Sequence, residues 1–319
     1  MNYDTETIQA LLDQVTLEYI DNPAFISVEF TQEERIVVRF SRLDSLPKDA
    51  RTNIVCSPVE GRPEATIEIA YEEGPEIVES LGEVDRDPPN EEFLATAGEM
   101  GGDQCRNANN MNYYGTISFY ASSVSYDTSG LCNSNCSAAP ALFSNNHVIA
   151  RSDQASIGEV IWTPFNPDVA RLSCFIPFRC NSSTDMALAR VNDLTGISRF
   201  TVRTIGKMTG IRRPGIGEGI QKHGARTGYT TGTVSGQTNI KVGKYWFRRV
   251  FSTSGGFGCS GDSGSSVVGN DKNLLGIFSW GDDLPCSQNP RGYFWPFINP
   301  GTLSNAQTSS SATTQVDIS

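Results

Sequence analysis

Three residues with complementary chemistry follow one another along the chain in the order histidine, aspartate, serine. His147 lies in FSNNHVIA, Asp185 in STDMALARV and Ser263 in GCSGDSGSSVV. A serine hydroxyl is a weak nucleophile at neutral pH and needs an imidazole as general base. The imidazole in turn needs a carboxylate that fixes its tautomer and stabilises its charged form. The sequence therefore predicts Ser263 as nucleophile, His147 as base and Asp185 as orienting carboxylate, with Asp193 as the fallback for Asp185.

Glycines flank the candidate nucleophile, and they affect what the backbone around it can do. A glycine before the serine lets backbone N–H groups reach the negative charge that develops on a substrate carbonyl oxygen. The amides of Gly261 and Ser263 are the predicted donors of this oxyanion hole, where one donor contributes roughly 3–4 kcal/mol. Asp262 is interpreted as a support for the same loop. The second of the two histidines, His223, is interpreted as a solvated loop residue.

Three short motifs carry a family resemblance. GDSGS at 261–265, NNHVIA at 145–150 and TDMAL at 184–188 together resemble the motifs of trypsin/chymotrypsin-like serine peptidases. The run HGARTGYTTGTV at 223–234 is similar to a segment of the compact bacterial streptogrisin and α-lytic members, and of intracellular trypsin-like proteins. The resemblance covers roughly 98–300. It implies a double β-barrel and a serine endopeptidase that works through an acyl-enzyme on protein or peptide substrates, without metal or organic cofactor.

The resemblance also assigns a primary specificity pocket. It implies that Cys259 and Cys286 pair across the pocket walls, and that Ser-Trp-Gly at 279–281 forms one wall. Phe257 falls at the pocket base, where trypsin-type members carry an aspartate, so we expect a preference for small or apolar residues before the scissile bond. Asp282 and Asp283 are candidates for attracting a basic side chain at the rim. The implied pocket residues are Phe257, Gly258, Cys259, Ser279, Trp280, Gly281 and Cys286.

Two departures and two alternatives accompany this interpretation. Ser265 stands where the family often has a second glycine after GDSG, and Val148 stands where many members carry a bridged cysteine. The alternatives are a catalytically silent protease fold used as a binding or scaffold module, and an esterase with the same triad. An α/β-hydrolase is excluded because no histidine follows Ser263.

The eight cysteines raise a question of compartment. Cys132 with Cys136 and Cys174 with Cys180 fit either metal ligands or paired loops, with paired loops or buried thiols favoured by the loose spacing. Disulfides suit an oxidising compartment, yet the acidic N-terminus shows no secretory signal. We expect a cytoplasmic protein by default, with export by a non-classical route as the alternative.

Charge divides the 319 residues into two parts. Residues 1–100 hold 23 acidic and 7 basic side chains, a net charge of −16, whereas residues 101–319 hold 13 and 18, a net charge of +5. The overall charge of −11 argues against nucleic acid as partner. No apolar run is long enough for a membrane span, so no membrane partner is expected.

Periodicity predicts a mainly β fold with a small N-terminal α+β domain. Helical spacing of apolar residues follows Asp4 and Thr5, and alternating runs at 25–30, 35–40 and 65–71 predict strands. From about residue 98, short β-like runs alternate with glycine-rich turns, as in a sandwich or a barrel pair. The predicted organisation is an acidic domain at 1–81, a linker at 82–97, a peptidase domain at 98–302 and a disordered Ser/Thr-rich tail at 303–319. Opposite charge suggests that the first domain is a pro-region or regulatory domain docked on the peptidase domain.

Overall fold

The computed structural model describes residues 3–56, 65–79, 81–83, 99–127, 136–180, 184–297 and 313–317. The prediction of a mainly β fold is confirmed, since the described residues form 25 strands and only two α-helices. The helices are α1 (Thr5–Tyr19) and α2 (Asn146–Ile149). The strands are β1 (Phe25–Thr31), β2 (Ile36–Phe40), β3 (Asn53–Cys56), β4 (Ala65–Glu73), β5 (Ile77–Glu79), β6 (Gly82–Glu83), β7 (Gln104–Asn107), β8 (Tyr113–Thr116), β9 (Phe119–Ala121), β10 (Ser123–Asp127), β11 (Cys136–Ala138), β12 (Ala141–Ser144), β13 (Val160–Trp162), β14 (Ala170–Phe175), β15 (Ala187–Val191), β16 (Thr201–Val202), β17 (Gly206–Lys207), β18 (Gly210–Ile211), β19 (Gly219–Gly224), β20 (Gly228–Val242), β21 (Tyr245–Thr253), β22 (Ser266–Gly269), β23 (Asn273–Asp282), β24 (Gly292–Pro296) and β25 (Thr313–Asp317).

Helix α1 begins where the sequence predicts it. The Asp4 side chain accepts a hydrogen bond from the Thr7 N–H at 2.7 Å, which caps the first turn. The predicted apolar face is buried in one cluster with residues of β1, β2 and β4. That cluster fixes the helix against the first strands of the chain.

The N-terminal strands continue the large sheet of the C-terminal half instead of forming a sheet of their own. The order is β19-β22-β23-β24-β21-β20-β1-β2-β4-β3, and β1 pairs antiparallel with β20 from Ser27 opposite Ile240 to Thr31 opposite Gly236. Ile26 and Ile77 are buried in the same apolar cluster as barrel residues such as Trp280. The two charged halves of the sequence therefore share backbone pairing as well as a core.

A buried carboxylate sits on this shared sheet. Glu29 of β1 is 1% exposed and lies 3.2 Å from the Arg39 guanidinium and 2.8 Å from that of Arg291. Its second oxygen accepts from the Ser252 hydroxyl at 2.6 Å. Burial raises the pKa of Glu29, and the Arg39 charge opposes that rise. Because Arg291 and Ser252 come from the C-terminal half, Glu29 links the two halves by charge-assisted hydrogen bonds.

The second large sheet has the order β6-β8-β7-β13-β14-β15-β12-β9. Strand β12 leads directly into α2, and its neighbour β15 begins two residues after Asp185. Two very short strands that follow each other in the sequence join different sheets. Strand β5 pairs with β23 of the first sheet, and β6 pairs with β8 of the second. Sequence periodicity did not predict either of them.

The remaining strands bear on the predicted domain boundaries. Within the segment for which the sequence predicts a disordered tail, Thr313–Asp317 instead form β25, which pairs antiparallel with β10. The predicted linker begins inside β6, and its residues 84–97 lie outside the described residues. The divisions at 81, 97 and 302 stay predictions.

Candidate active site

The pairing of β12 with β15 brings His147 and Asp185 together. Ser144 lies opposite Ala187 in this antiparallel pair, so the residues just after β12 and just before β15 meet at one end. His147 Nδ1 is hydrogen-bonded to the Asp185 carboxylate, whose other oxygen accepts from the His147 backbone N–H at 3.2 Å. The carboxylate thereby holds both the ring and the backbone of the histidine.

Asn145 connects this pair to the candidate nucleophile. Its side-chain amide donates to Asp185 Oδ2 at 2.8 Å and also to the Ser279 hydroxyl. The Ser279 carbonyl oxygen in turn accepts a hydrogen bond from Ser263 Oγ at 2.9 Å. All three predicted triad residues therefore belong to one hydrogen-bond network. Sequence reasoning missed Asn145, although its place two residues before the histidine was visible in NNHVIA.

The serine and the histidine are close but not hydrogen-bonded to each other. A side chain built on Gly115 would clash with both Val148, at 2.5 Å from its Cγ2, and the Ser263 carbonyl oxygen, at 2.7 Å. Within the described part of the chain, His147 Nε2 has no hydrogen-bond partner. The Ser263 hydroxyl donates to the Ser279 carbonyl oxygen instead.

The environment of His147 favours its charged form. Burial lowers the pKa of the imidazole, but the Asp185 carboxylate raises it by more, with a smaller contribution from Glu79. The pKa of His147 therefore lies above its ordinary value of 6.5. An imidazolium that forms during proton transfer would be stabilised in this position.

The loop around Ser263 is built on two glycines in the left-handed region. Gly261 has a φ of +97° and Gly264 a φ of +98°, and a side chain on Gly264 would meet the Thr116 carbonyl oxygen at 1.9 Å. The neighbouring amides of Asp262, Gly264 and Ser265 donate to backbone carbonyls. Among the described residues, no backbone hydrogen bond uses the N–H of Gly261 or of Ser263, so both amides remain available to a ligand.

Asp262 anchors this loop, as the sequence suggests. Its carboxylate lies 2.8 Å from the Lys222 ammonium and accepts from the Thr227 hydroxyl at 2.6 Å. Further donors are the backbone N–H groups of Arg226, Thr227 and Cys259. Both Lys222 and Asp262 are fully buried. The role of Lys222 was missed because a lysine beside a histidine in a glycine-rich run looks like a surface residue.

Phe257, which the resemblance places at the base of the pocket, is completely buried. The Phe257 ring is 6.2 Å from the Phe278 ring, and the Lys222 ammonium lies 5.6 Å above it. A side chain on Gly258 would meet the Phe278 ring at 2.6 Å. Cys259 and Cys286 form a disulfide with their Cα atoms 5.6 Å apart, as the resemblance implies.

The pocket wall and rim predictions fall on β23 and the residues after it. Trp280 is fully buried, with its ring 4.4 Å from that of Phe247, and Gly281 follows it in the strand. Asp282 accepts a hydrogen bond from the Tyr293 hydroxyl at 2.9 Å, and burial raises its pKa to about 6. Asp283 is exposed. Of the two candidate rim carboxylates, only that of Asp283 faces solvent freely.

The interpretation of His223 as a solvated loop residue is wrong. It lies in β19 with no exposed surface, and its Nδ1 is 3.1 Å from the Thr204 hydroxyl. Burial, together with the Lys222 and Arg203 charges, lowers the pKa of His223 to about 4. A side chain that the strand turns inward is buried whatever its polarity.

The structure also describes Asp193, the fallback for Asp185, and two of the four cysteines considered as metal ligands. Asp193 is exposed and accepts from the Thr195 N–H at 2.8 Å, away from His147. Cys136 and Cys174 form a disulfide with Cα atoms 5.4 Å apart. At these two positions the structure therefore supports paired loops over metal ligands. Cys132 lies outside the described residues, and the side chain of Cys180 is not described.

The part of the chain that the structure describes contains neither a metal-ligand cluster nor a membrane-spanning helix. No group of three or more His, Cys, Asp or Glu side chains there is arranged to hold a metal ion. No helix in that part is both long and apolar enough to cross a membrane.

A family model described as Trypsin matches residues 118–299, more than half of the chain. The chain belongs to the trypsin family. This membership confirms the chymotrypsin-like fold and supports a serine protease hydrolase in general terms. No curated protein sequence matches the chain at a significant level.

Solved structures of bacterial proteases match part of the chain at low sequence identity. Thermobifida fusca protease A is 18% identical with a TM-score of 0.43, and the match covers 62% of this chain and 90% of that one. Nocardiopsis protease is 18% identical with a TM-score of 0.43, covering 62% and 91%. Cellulomonas bogoriensis chymotrypsin is 17% identical with a TM-score of 0.42, covering 62% and 90%.

Proposed function

We propose that this trypsin-family protein is a serine endopeptidase that cleaves peptide bonds through Ser263, His147 and Asp185. The observation that carries the proposal is the hydrogen bond between His147 Nδ1 and the Asp185 carboxylate, because it leaves Nε2 as the proton acceptor. Asn145 and Ser279 extend the same network to Ser263 Oγ.

The proposed reaction moves one proton between Ser263, His147 and the substrate, and uses one water molecule. Ser263 Oγ forms a bond to the substrate carbonyl carbon while its proton passes to His147 Nε2. The negative charge on the carbonyl oxygen is stabilised by the N–H groups of Gly261 and Ser263. His147 returns the proton to the leaving amine as the C–N bond breaks. Water then attacks the ester while His147 takes a proton from it, and His147 passes that proton to Ser263 Oγ as the carboxylic acid product leaves.

Buried Phe257 supports a preference for a small or apolar side chain before the scissile bond. The ring at this position offers no carboxylate to a substrate lysine or arginine, and its bulk shortens the space behind Ser263. Burial of a cation there without a partner would be costly.

Labelling with a fluorescent fluorophosphonate tests the nucleophile. We expect label on the full chain and none on Ser263→Ala, because the probe reacts only with an activated serine. Ser260→Ala, in the same loop, is the matched control and keeps its label.

The alternatives give different results in the same assay. A silent scaffold module would take up no label, which would overturn the proposal. An esterase would be labelled and would hydrolyse simple esters, yet leave peptides intact.

A further inference from the structure

We propose that Arg39, on strand β2, is a positioning residue for the specificity pocket of the proposed peptidase. It acts through the Tyr293 hydroxyl on Asp282, the residue that directly follows the predicted pocket wall at 279–281. The inference deepens the proposed function and rests on it, because it takes residues 279–281 as a wall that contacts the substrate.

Two hydrogen bonds in series lead from Arg39 to the end of the pocket wall. Arg39 Nη1 donates to the Tyr293 hydroxyl oxygen at 3.0 Å, and that hydroxyl donates to Asp282 Oδ1 at 2.9 Å. The donor directions agree, since a guanidinium only donates and an ionised carboxylate only accepts. The Arg39 charge also interacts electrostatically with Asp282. The Tyr293 hydroxyl is therefore held on both sides, with its proton directed at Asp282.

Tyr293 is also paired with the wall itself. In the pairing of β23 with β24 it lies opposite Trp280, the central residue of the wall, and Gly292 lies opposite Gly281. The Tyr293 side chain is fully buried in the same apolar cluster as Trp280. Tyr293 is thus joined to β23 at two positions, by strand pairing at Trp280 and by its hydroxyl at Asp282.

A second set of contacts reaches the same carboxylate from Glu29. The Glu29 carboxylate lies 2.8 Å from the Arg291 guanidinium, and the backbone N–H of Arg291 donates to Asp282 Oδ2 at 3.3 Å. The Asp282 N–H donates to the Arg291 carbonyl oxygen at 3.0 Å. Glu29 also accepts from Arg39 at 3.2 Å, which joins the two sets of contacts. Each oxygen of Asp282 is therefore bound by a group that contacts Arg39 or Glu29.

These contacts fix the end of the wall, where packing alone would leave it poorly defined. Gly281 has no side chain to pack, so its position depends on its neighbours Trp280 and Asp282. Asp282 is the last residue of β23, and residues 283–285 beyond it are exposed. Hydrogen bonds to a charged group restrict distance and direction, unlike apolar contacts. Loss of the Tyr293 bond should therefore displace the wall while β23 and β24 remain paired.

The variants interrupt the link at either end. Tyr293→Phe removes the hydroxyl and leaves the buried ring in place. Arg39→Met removes the guanidinium, whereas Arg39→Lys keeps a charge beside Glu29 and loses the planar fork that binds Glu29 and Tyr293 together. Glu72→Gln is the matched control, because Glu72 is a half-exposed partner of Arg39, at 3.6 Å, outside the link to Asp282.

The experiment compares kcat, KM and the rate of fluorophosphonate labelling in full-length chains, with a peptide that carries alanine before the scissile bond. We expect KM to rise about tenfold in Tyr293→Phe and in Arg39→Met, because the wall binds the ground state and the transition state alike. On the same reasoning, kcat and the labelling rate should change by less than about threefold. The double variant should be no worse than either single variant, since both changes break one link. Glu72→Gln should match the parent chain.

Several results would overturn the proposal. One is an unchanged KM in folded Tyr293→Phe, and another is a KM increase in the double variant that combines those of the single variants. A matching fall of kcat and of labelling rate would show that the network supports the triad instead of the pocket. Thermal unfolding identifies a variant that fails to fold, and Arg39→Lys then takes the place of Arg39→Met. Absence of both label and turnover from the parent chain would remove the proposed function, and this inference with it.

Discussion

The Lys222 ammonium lies 2.8 Å from the Asp262 carboxylate, and neither side chain has any exposed surface. Burial lowers the pKa of Lys222, while the Asp262 charge acts against that change. Asp262 also immediately precedes Ser263, and its five donors fix the path of the loop. The loop is therefore anchored by a cation within the chain, on β19.

Replacing this cation should destabilise the fold. Lys222→Met leaves the Asp262 carboxylate buried without its counter-ion, so we expect the free energy of unfolding to fall by about 3–5 kcal/mol. Urea denaturation measures the change, with the exposed Lys207→Met as control. If both variants unfolded at the same urea concentration, the ion pair would not stabilise the loop.

The two candidate orienting carboxylates can be separated by activity. Asp185→Asn should lower kcat by about 10⁴-fold, because the imidazole loses the group that fixes its tautomer. Asp193→Asn should retain full activity, since Asp193 is exposed and bonded to Thr195. A comparable loss in both variants would contradict the assignment of Asp185.

The proposed activity should also depend on pH through His147. The base must be neutral to accept a proton, and the Asp185 carboxylate keeps its pKa above 6.5 despite burial. We therefore expect kcat/KM to rise with a midpoint above pH 6.5. A plateau already reached at pH 6 would show that another group controls the reaction.

Buried His223 should make the fold sensitive to acid. Its pKa of about 4 in the folded chain lies below the ordinary value of 6.5, so only the unfolded chain binds the proton between these values. Stability is therefore complete above pH 6.5 and is lost as the pH falls towards 4, by about 3 kcal/mol. His223→Gln should remove this part of the pH dependence.

Urea unfolding at pH 7 and pH 4.5 measures that difference for the parent chain and for His223→Gln. Carboxylates that titrate over the same range contribute equally to both chains, so the difference between the chains isolates His223. Asp103 is one such carboxylate, because burial raises its pKa to about 6. Identical pH dependence in the two chains would show that folding does not lower the pKa of His223.

Phe257 should limit the size of the side chain accepted before the scissile bond. Phe257→Ala removes a fully buried ring, so larger apolar side chains such as phenylalanine should be accepted at the expense of alanine. A peptide library measures this preference, with Phe251→Ala as a buried control in the same apolar cluster. An unchanged preference, or cleavage after lysine or arginine, would contradict the position assigned to Phe257.

The sequence predicted those parts of the molecule whose signal is local. Helix α1 has a cap and an apolar face, and the motifs around His147 and Ser263 each lie within a few residues. Asp185 was identified because it stands just before an apolar strand in a D-x-A-L context, and β12–β15 pairing then brings it to the histidine. Each of these features depends on a short stretch of chain.

Features that depend on distant pairing were not predictable in the same way. A strand of three residues such as Ile77–Glu79 has no periodicity, and its meaning appears only when β23 lies beside it. His223 and Lys222 are both buried next to each other in β19, against the alternation that a two-faced strand would show. Their burial follows from contacts with Thr204 and Asp262, which are distant in the chain.

The pairing of β1 with β20 also has a consequence for solubility. Strand β20 is 15 residues long, and β1 covers the backbone of its Gly236–Ile240 stretch. Without that cover, a long edge would offer free N–H and C=O groups to other copies of the chain. Because residues 25–31 leave the ribosome well before β20, the covering strand is made before the edge that it protects. Removing the first strand should therefore produce self-associating protein, seen as light scattering that increases with protein concentration.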